Sequence, residues 1–329
     1  MKRSLFALLL PAMMLAADPP GAEITNGVIK AKLYLPDAEQ GYYRGTRFDW
    51  SGVIPSLEYK GHQYFGQWFP RYDPKLHDAI MGPVEEFVTP VPGSNSVLGL
   101  GYTEAKPGEN FVKIGIGAIK KPEERAYNQF GNNYQITDHG KWTVKKSADK
   151  VEFTHELKDA NGYSYVYRKT VRLTKGKPEL VLQHSLKNTG KKVIDTSVYE
   201  HNFWVIDNQP TGPDFSVKFP FEAKNIASFG GLAETKGKEL VYLSELQPRQ
   251  TAQSVIQGFG PSPSDYDIRV ENKKTGAGVR TTANRPLSKI NFWSIRTTLC
   301  PEPYIDMKIE PGKEFTWDIK YEFYTLDGK

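Results

Sequence analysis

The chain has one cysteine, Cys300, in 329 residues. An intramolecular disulfide is therefore excluded, and stability has to come from a packed core. Long apolar runs are also lacking. Ser4 to Leu15 is the one extended stretch, and it is shorter than the ~20 residues a comfortable membrane span needs. It follows Lys2-Arg3 and precedes Ala16-Ala17, small residues suited to cleavage before Asp18. Residues 1–17 thus read as a secretion signal, with an uncleaved anchor as the alternative. The expected mature chain, 18–329, has no membrane span and is exported to a periplasmic or extracellular space. An excess of charge is lacking too. The formal net charge is +5, and removal of Lys2 and Arg3 lowers it by two. So small and scattered an excess gives no reason to expect a nucleic-acid partner.

Several catalytic signatures are missing. There is no G-x-x-x-x-G-K-[ST], no H-E-x-x-H and no G-x-S-x-G. Gly115-Ile116-Gly117 lacks the third glycine of a dinucleotide-binding turn. One cysteine cannot build a thiolate zinc cluster. Composition is 39% hydrophobic, 12% aromatic and 25% charged, which excludes disordered, collagen-like and coiled-coil chains.

What is present are short runs of β-branched and aromatic residues bounded by Gly, Pro, Asn and Asp. Ile24 to Leu35 reads as a strand or hairpin entry, and Gly52 to Tyr59 as a strand turning at Lys60-Gly61. Trp142 to Lys146 and Val151 to Leu157 read as a hairpin. Asp159-Ala160-Asn161-Gly162 turns the chain into Tyr163 to Leu173, and Lys175-Gly176-Lys177-Pro178 turns it into Glu179 to Leu186. In Glu314 to Tyr324, Phe315, Trp317, Ile319, Tyr321 and Phe323 recur at period two, as a strand with one buried face requires. No strand–helix–strand alternation appears. The expected fold is all-β: a large antiparallel β-sandwich in a single domain. Residues 66–135 are proline- and glycine-rich and read as long loops, with room for a short helix, decorating one side of the sheets.

Histidines, carboxylates and aromatics carry the candidate chemistry. His201 stands in Tyr199-Glu200-His201-Asn202-Phe203-Trp204, where it can act as a general acid or sit as a buried structural histidine. Glu302 is flanked by Pro301 and Pro303, which predicts a loop presenting the carboxylate rather than an interior strand. Near apolar rings its pKa would rise and it could serve as a base, and the alternative is a solvated loop glutamate. His77-Asp78 can hold a hydroxyl-rich ligand or lie at the surface. Tyr42 to Trp50 mixes rings, cations and a carboxylate, which suits either a sugar or a ligand-free cation–π ladder. His62, His139, His155 and His184 show no partner and read as structural.

The order of these pieces from about residue 140 onward resembles the aldose 1-epimerase (galactose mutarotase-like) family. His201-Asn202-Phe203 stands where that family has His-Pro-Tyr-Phe, and Glu302 stands at its glutamate. Pro311-Gly312-Lys313-Glu314 followed by Phe315 to Phe323 matches its closing turn and strand, and Gly162-Tyr163 with Tyr167 to Leu173 matches an earlier strand pair. The family's asparagine–arginine and His-Gly-Gly elements are not visible, and Arg44 to Gly52 is not part of its pattern.

The resemblance implies a β-supersandwich and acid/base ring opening of a sugar at its anomeric carbon, with no metal and no cofactor. Glu302 would be the base and His201 the acid. His77, Arg47, Asn202 and an aspartate near Asp265 would bind the substrate. The expected partner is a sugar or oligosaccharide. A non-catalytic glycan-binding protein and a polysaccharide lyase or hydrolase share this architecture, and a phosphosugar epimerase is a third alternative, against which the expected export argues because sugar phosphates are mainly cytoplasmic. A hydrolase needs a second carboxylate across the cleft, for which Glu200, Asp49 and Asp207 are candidates.

Overall fold

A computed structural model describes residues 18–91, 97–123, 126–130 and 134–326. The predicted leader, residues 1–17, lies outside the described residues. Strands dominate, and every pairing is antiparallel. Two short 3-10 turns, Ile206–Asn208 and Pro263–Asp265, are the helical elements among the described residues. No described helix is long and apolar enough to cross a membrane.

Two large sheets make the sandwich. The ten-stranded sheet runs Lys141–Lys146, Lys150–Ala160, Tyr163–Leu173, Glu179–Asn188, Glu314–Thr325, Ala277–Ala283, Asp267–Asn272, Phe215–Lys218, Glu239–Tyr242, Ala233–Lys236. The seven-stranded sheet runs Lys224–Asn225, Ala252–Gln257, Lys289–Ile295, Thr298–Ile309, Ile194–Phe203, Gly82–Pro90, Val97–Leu98. The predicted hairpins fall where the turn residues put them. Leu186 pairs with Phe315 and Leu182 with Ile319, so the aromatic stripe of the last strand faces inward beside leucines. Trp317, Ile319, Tyr321 and Phe323 are fully buried. Phe87 of the seven-stranded sheet meets the Tyr167 ring edge-on at 5.4 Å, which locks the two sheets face to face.

The amino-terminal segment adds a four-stranded sheet, Gly21–Thr25, Ile29–Tyr34, Val53–Tyr59 and His62–Gln63. A three-stranded sheet follows, Asn110–Lys113, Gly117–Lys120 and Ile136–Asp138. The connecting loops pack a second apolar cluster onto the outer face of the seven-stranded sheet. Trp68 stacks on Phe203 with centroids 4.6 Å apart, and Phe48 meets Phe203 edge-on at 5.8 Å.

Two expectations need correction. Residues 66–135 are not loops throughout, for Gly82–Pro90 is a nine-residue strand inside the seven-stranded sheet. Nearly all of it is buried, and it carries Glu85 and Glu86, so it shows no apolar alternation to read. Pro83 and Pro90 near its ends further disguise it. No α-helix forms among the described residues of this region.

Glu302, secondly, does not sit on a loop. Thr298–Ile309 is an interior strand, between Lys289–Ile295 and Ile194–Phe203. Its pairing with Ile194–Phe203 stops at Tyr199↔Tyr304 and resumes as the single bridge Trp204↔Leu299. In that register Pro303 falls opposite Glu200 and Pro301 opposite Asn202. Prolines have no N–H to give, so the ladder skips these positions and a seam opens between the strands. Asn202 partly fills it, donating its side-chain amide to the Pro301 carbonyl at 3.2 Å.

Candidate active site

The seam is where the two principal candidates meet. Counting on from Tyr199↔Tyr304, His201 falls opposite Glu302, and both side chains leave the outer face of the sheet. Imidazole Nε2 is 3.3 Å from Glu302 Oε1. They stand in a cleft of about 690 Å³, within the ordinary range for a small-molecule site. Its wall also includes Arg47, Asp78, Phe130, Asn291, Trp293 and Tyr304.

Rings fix the histidine. His201 stacks on Phe203 with centroids 3.8 Å apart and meets Phe48 and Trp293 edge-on at 5.5 and 5.9 Å. Its Nδ1 has no hydrogen-bond partner among the described residues. Burial, with the Arg47 charge adding to it, holds its pKa well below the ordinary histidine value, so the imidazole is neutral. Glu302 is 3% exposed, and burial pushes its pKa up to about 7 against the Asn291 amide, which donates to Oε2 at 2.8 Å. The predicted rise of the Glu302 pKa beside apolar rings therefore holds. An uncharged acid and a neutral base side by side can exchange a proton in either direction.

Arg47 is wholly committed to the protein. Its Nε donates to Glu86 Oε2 at 2.8 Å, Nη1 pairs with Asp78, and Nη2 donates to the Tyr199 hydroxyl at 3.1 Å. The guanidinium lies over the rings of Phe48 and Phe130, at 4.3 and 4.7 Å. Lys113 and the Tyr199 hydroxyl also donate to Glu86. Asp78 accepts from this side and stands 3.1 Å from His77 Nε2, and although burial opposes it the Arg47 charge draws its pKa down to about 2. His77 itself is not part of the cleft wall. It steadies Asp78, with Phe130 edge-on at 6.0 Å.

Two expected binding residues are placed elsewhere. Asn202 belongs to the opposite face of its strand, since side chains alternate, and accepts from the Tyr321 hydroxyl at 2.8 Å inside the sandwich. Asp265 ends the exposed turn Pro263–Asp265 and accepts from the Gly260 amide at 2.5 Å, remote from the cleft wall. The three candidates for a second carboxylate fail as well. Asp207 pairs with His62 at 2.9 Å, and Asp49 and Glu200 are sealed within the protein. Asp78 and Glu302 are the carboxylates that line the cleft. Asn291, Trp293 and Tyr304 were missed, although alternation along Lys289–Ile295 and Thr298–Ile309 would have placed them beside Glu302 once the pairing was known. Cys300 is fully buried, and burial raises its thiol well above the usual range, so it is packed rather than reactive.

Behind the same strands lies a second polar cluster. Glu85 pairs with Lys169, and His184 Nε2 stands 2.6 Å from Glu85 Oε1. Lys169 also donates to the Ser51 carbonyl at 3.0 Å. Asp49 accepts from the Tyr167 hydroxyl at 3.1 Å, and burial lifts its pKa to about 7. Glu200 completes the group with neither carboxylate oxygen hydrogen-bonded, and burial raises its pKa well above the carboxylate range. His184 stacks on Trp317 at 4.5 Å. The reading of His184 as structural stands, with Glu85 as the partner invisible in the sequence.

No family model matches the chain, and no curated protein sequence does. Solved structures do. A galactose mutarotase related enzyme from Lactobacillus acidophilus aligns over 93% of this chain and 98% of its own, at 13% identity and a TM-score of 0.57. An aldose epimerase homologue from C. elegans aligns over 93% and 99%, at 14% identity and a TM-score of 0.55. A galactose mutarotase-like protein from Lactobacillus casei aligns over 92% and 100%, at 12% identity and a TM-score of 0.55. The fold is thus that of the galactose mutarotase-like sandwich proteins. At such identity the likeness speaks for architecture, and activity has to be argued from the site.

Proposed function

We propose that this protein is a sugar-converting enzyme of the aldose 1-epimerase type, opening and reclosing an aldose ring at the anomeric carbon. The observation that carries the reading is the His201–Glu302 pair, an acid and a base 3.3 Å apart in a ring-walled cleft. Mutarotation asks for that combination: one group removes the anomeric hydroxyl proton while another protonates the ring oxygen. Trp293 lines the cleft as a ring surface for sugar C–H groups, and Asp78 and Asn291 offer partners to hydroxyls.

The directions of the two pKa shifts assign the proton to Glu302 at slightly acid pH. Ring opening then moves the Glu302 proton to the ring oxygen and the hydroxyl proton to His201 Nε2. The bond between anomeric carbon and ring oxygen breaks, its electron pair stays on that oxygen, and a carbonyl forms. The open aldehyde lies beside an imidazolium and a carboxylate. Rotation presents the other carbonyl face. On closure Glu302 takes the proton from the former ring oxygen and His201 returns one to the carbonyl oxygen. Each residue is thus acid in one half-cycle and base in the other, whereas the sequence suggested one fixed role for each.

Polarimetry on freshly dissolved α-glucose and α-galactose tests this, with wild type beside Glu302→Gln. Faster equilibration by wild type, lost in the variant, is the expected result. Because Glu302 must hold its proton to open the ring, kcat/KM should fall as pH rises through about 7. Saturable sugar binding without any acceleration would overturn the catalytic reading in favour of glycan binding. We also propose that the protein is exported, on the reading of residues 1–17 as a secretion signal, which amino-terminal sequencing of the mature protein checks.

A further inference from the structure

Charges in and behind the cleft wall pair off, with one exception. Arg47 faces Asp78 and Glu86, and Lys113 Nζ lies 3.1 Å from Glu86 Oε1, so two cations meet two carboxylates. Glu302 is the third carboxylate, and its burial favours the uncharged acid. Lys289 lines the same cleft and makes no ion pair among the described residues. Its ammonium lies over the Tyr304 ring, 5.1 Å from the centroid, and Tyr304 stacks on Tyr199 at 4.4 Å. Lys289 stands directly opposite Tyr304 in the strand register. It is two residues from Asn291 on one face of the strand, about 6.6 Å along the backbone, and Asn291 holds Glu302. A cation without an ion-pair partner among the described residues therefore lines the cleft, near enough for its charge to bear on Glu302.

We propose that Lys289 selects a sugar bearing an anionic group, carboxylate or phosphate, on the side of the ring remote from the anomeric carbon. The inference rests on the sugar-converting reading above. A neutral sugar gives the Lys289 ammonium no counter-charge beyond Glu302, on which it acts across the cleft. An anionic one gains a charge-assisted hydrogen bond inside a partly enclosed cleft. A sugar carboxylate also brings the formal charge of the occupied site to balance, whereas a phosphate monoester, at about −1.5 to −2, carries it past balance. Asp78 does not oppose this, since Arg47 and His77 hold it from both sides.

The test compares kcat/KM for mutarotation of glucuronate, galacturonate and glucose 6-phosphate with that for glucose and galactose. Wild type, Lys289→Gln and Lys289→Arg are measured side by side. Wild type should favour anionic sugars by about tenfold or more, as a hydrogen bond to a charged group allows. The anionic-to-neutral ratio should fall to near unity in Lys289→Gln and survive in Lys289→Arg. Preference for the uronates alone assigns a carboxylate ligand, and preference for the phosphate alone assigns a phosphate ligand. Equal kcat/KM for charged and neutral sugars in wild type, or a preference that persists in Lys289→Gln, overturns the inference and leaves the ring-opening activity standing. Acceleration of none of the five sugars overturns both.

Discussion

Glu200 and His201 are consecutive residues of one strand, as are Glu85 and Glu86 of its neighbour, and the pleat sends them to opposite sides. On the outer side His201 meets Glu302 in an open cleft. On the inner side Glu85, Glu200, Lys169, His184 and Asp49 crowd between the two sheets. Residue types are nearly the same on both sides. What differs is access. A buried polar group without access can only be held by its partners, and losing one strands the other. A group at a cleft can trade protons with whatever enters. Residue type alone therefore says little about role here, and the face of the strand says much.

Substitutions on the two faces should separate activity from stability. The largest effect is expected on the outer face, where Glu302→Gln should lower kcat by about 10²–10⁴. Measured at slightly acid pH, the same variant should keep its denaturation midpoint, because the buried acid it replaces is uncharged below about pH 7. Polarimetry beside a urea titration reads both quantities, and a large loss of stability would show that the two faces are not separable.

Next comes the inner face. Lys169→Met strands the Glu85 carboxylate and should cost about 3–5 kcal/mol of unfolding free energy. Adding Glu85→Gln to it should recover part of that loss, since both charges are then gone.

A smaller effect concerns pH. The folded pKa of Asp49, about 7, lies above its ordinary 3.8. Its protonated form therefore stabilises the fold fully below about pH 4, and that contribution is lost as pH rises to about 7. Asp49→Asn removes this dependence. Relative to wild type, the variant should gain stability between about pH 5 and about pH 8 in paired denaturation curves. An unchanged gap between the two proteins would place Asp49 among ordinary ionised carboxylates.

The smallest effect lies away from both faces. Asp265→Asn should leave sugar kinetics unchanged and cost at most about 1 kcal/mol, the worth of one turn hydrogen bond. A marked rise in KM would restore the substrate contact that the sequence suggested.

Much of the fold could be read from the chain because its hairpins are local. Asp159 to Gly162 and Lys175 to Pro178 announce their turns, and the Phe315 to Phe323 stripe announces its face. Gly82–Pro90 could not be read, since its charged residues are satisfied by Arg47, Lys113, Lys169 and His184 from distant segments. His201 and Glu302 were found as separate residues, but their contact depends on a pairing across a hundred positions. Asn202 was misplaced by one step of the pleat, which is the whole difference between the cleft and the sandwich interior.

Pro301 and Pro303 leave hydrogen-bonding rungs unmade in the middle of a sheet, at the place where His201 and Glu302 meet. A strand chosen for cohesion alone would carry N–H groups there, each able to add roughly 0.5–1.5 kcal/mol. Closing the seam would draw the two strands into an ordinary ladder and press the acid–base pair into a spacing set by backbone rather than by side chains. The prolines thus mark a point where robustness and reactivity pull apart, and a campaign to harden this protein by replacing them should yield tougher protein and slower turnover in the proposed reaction.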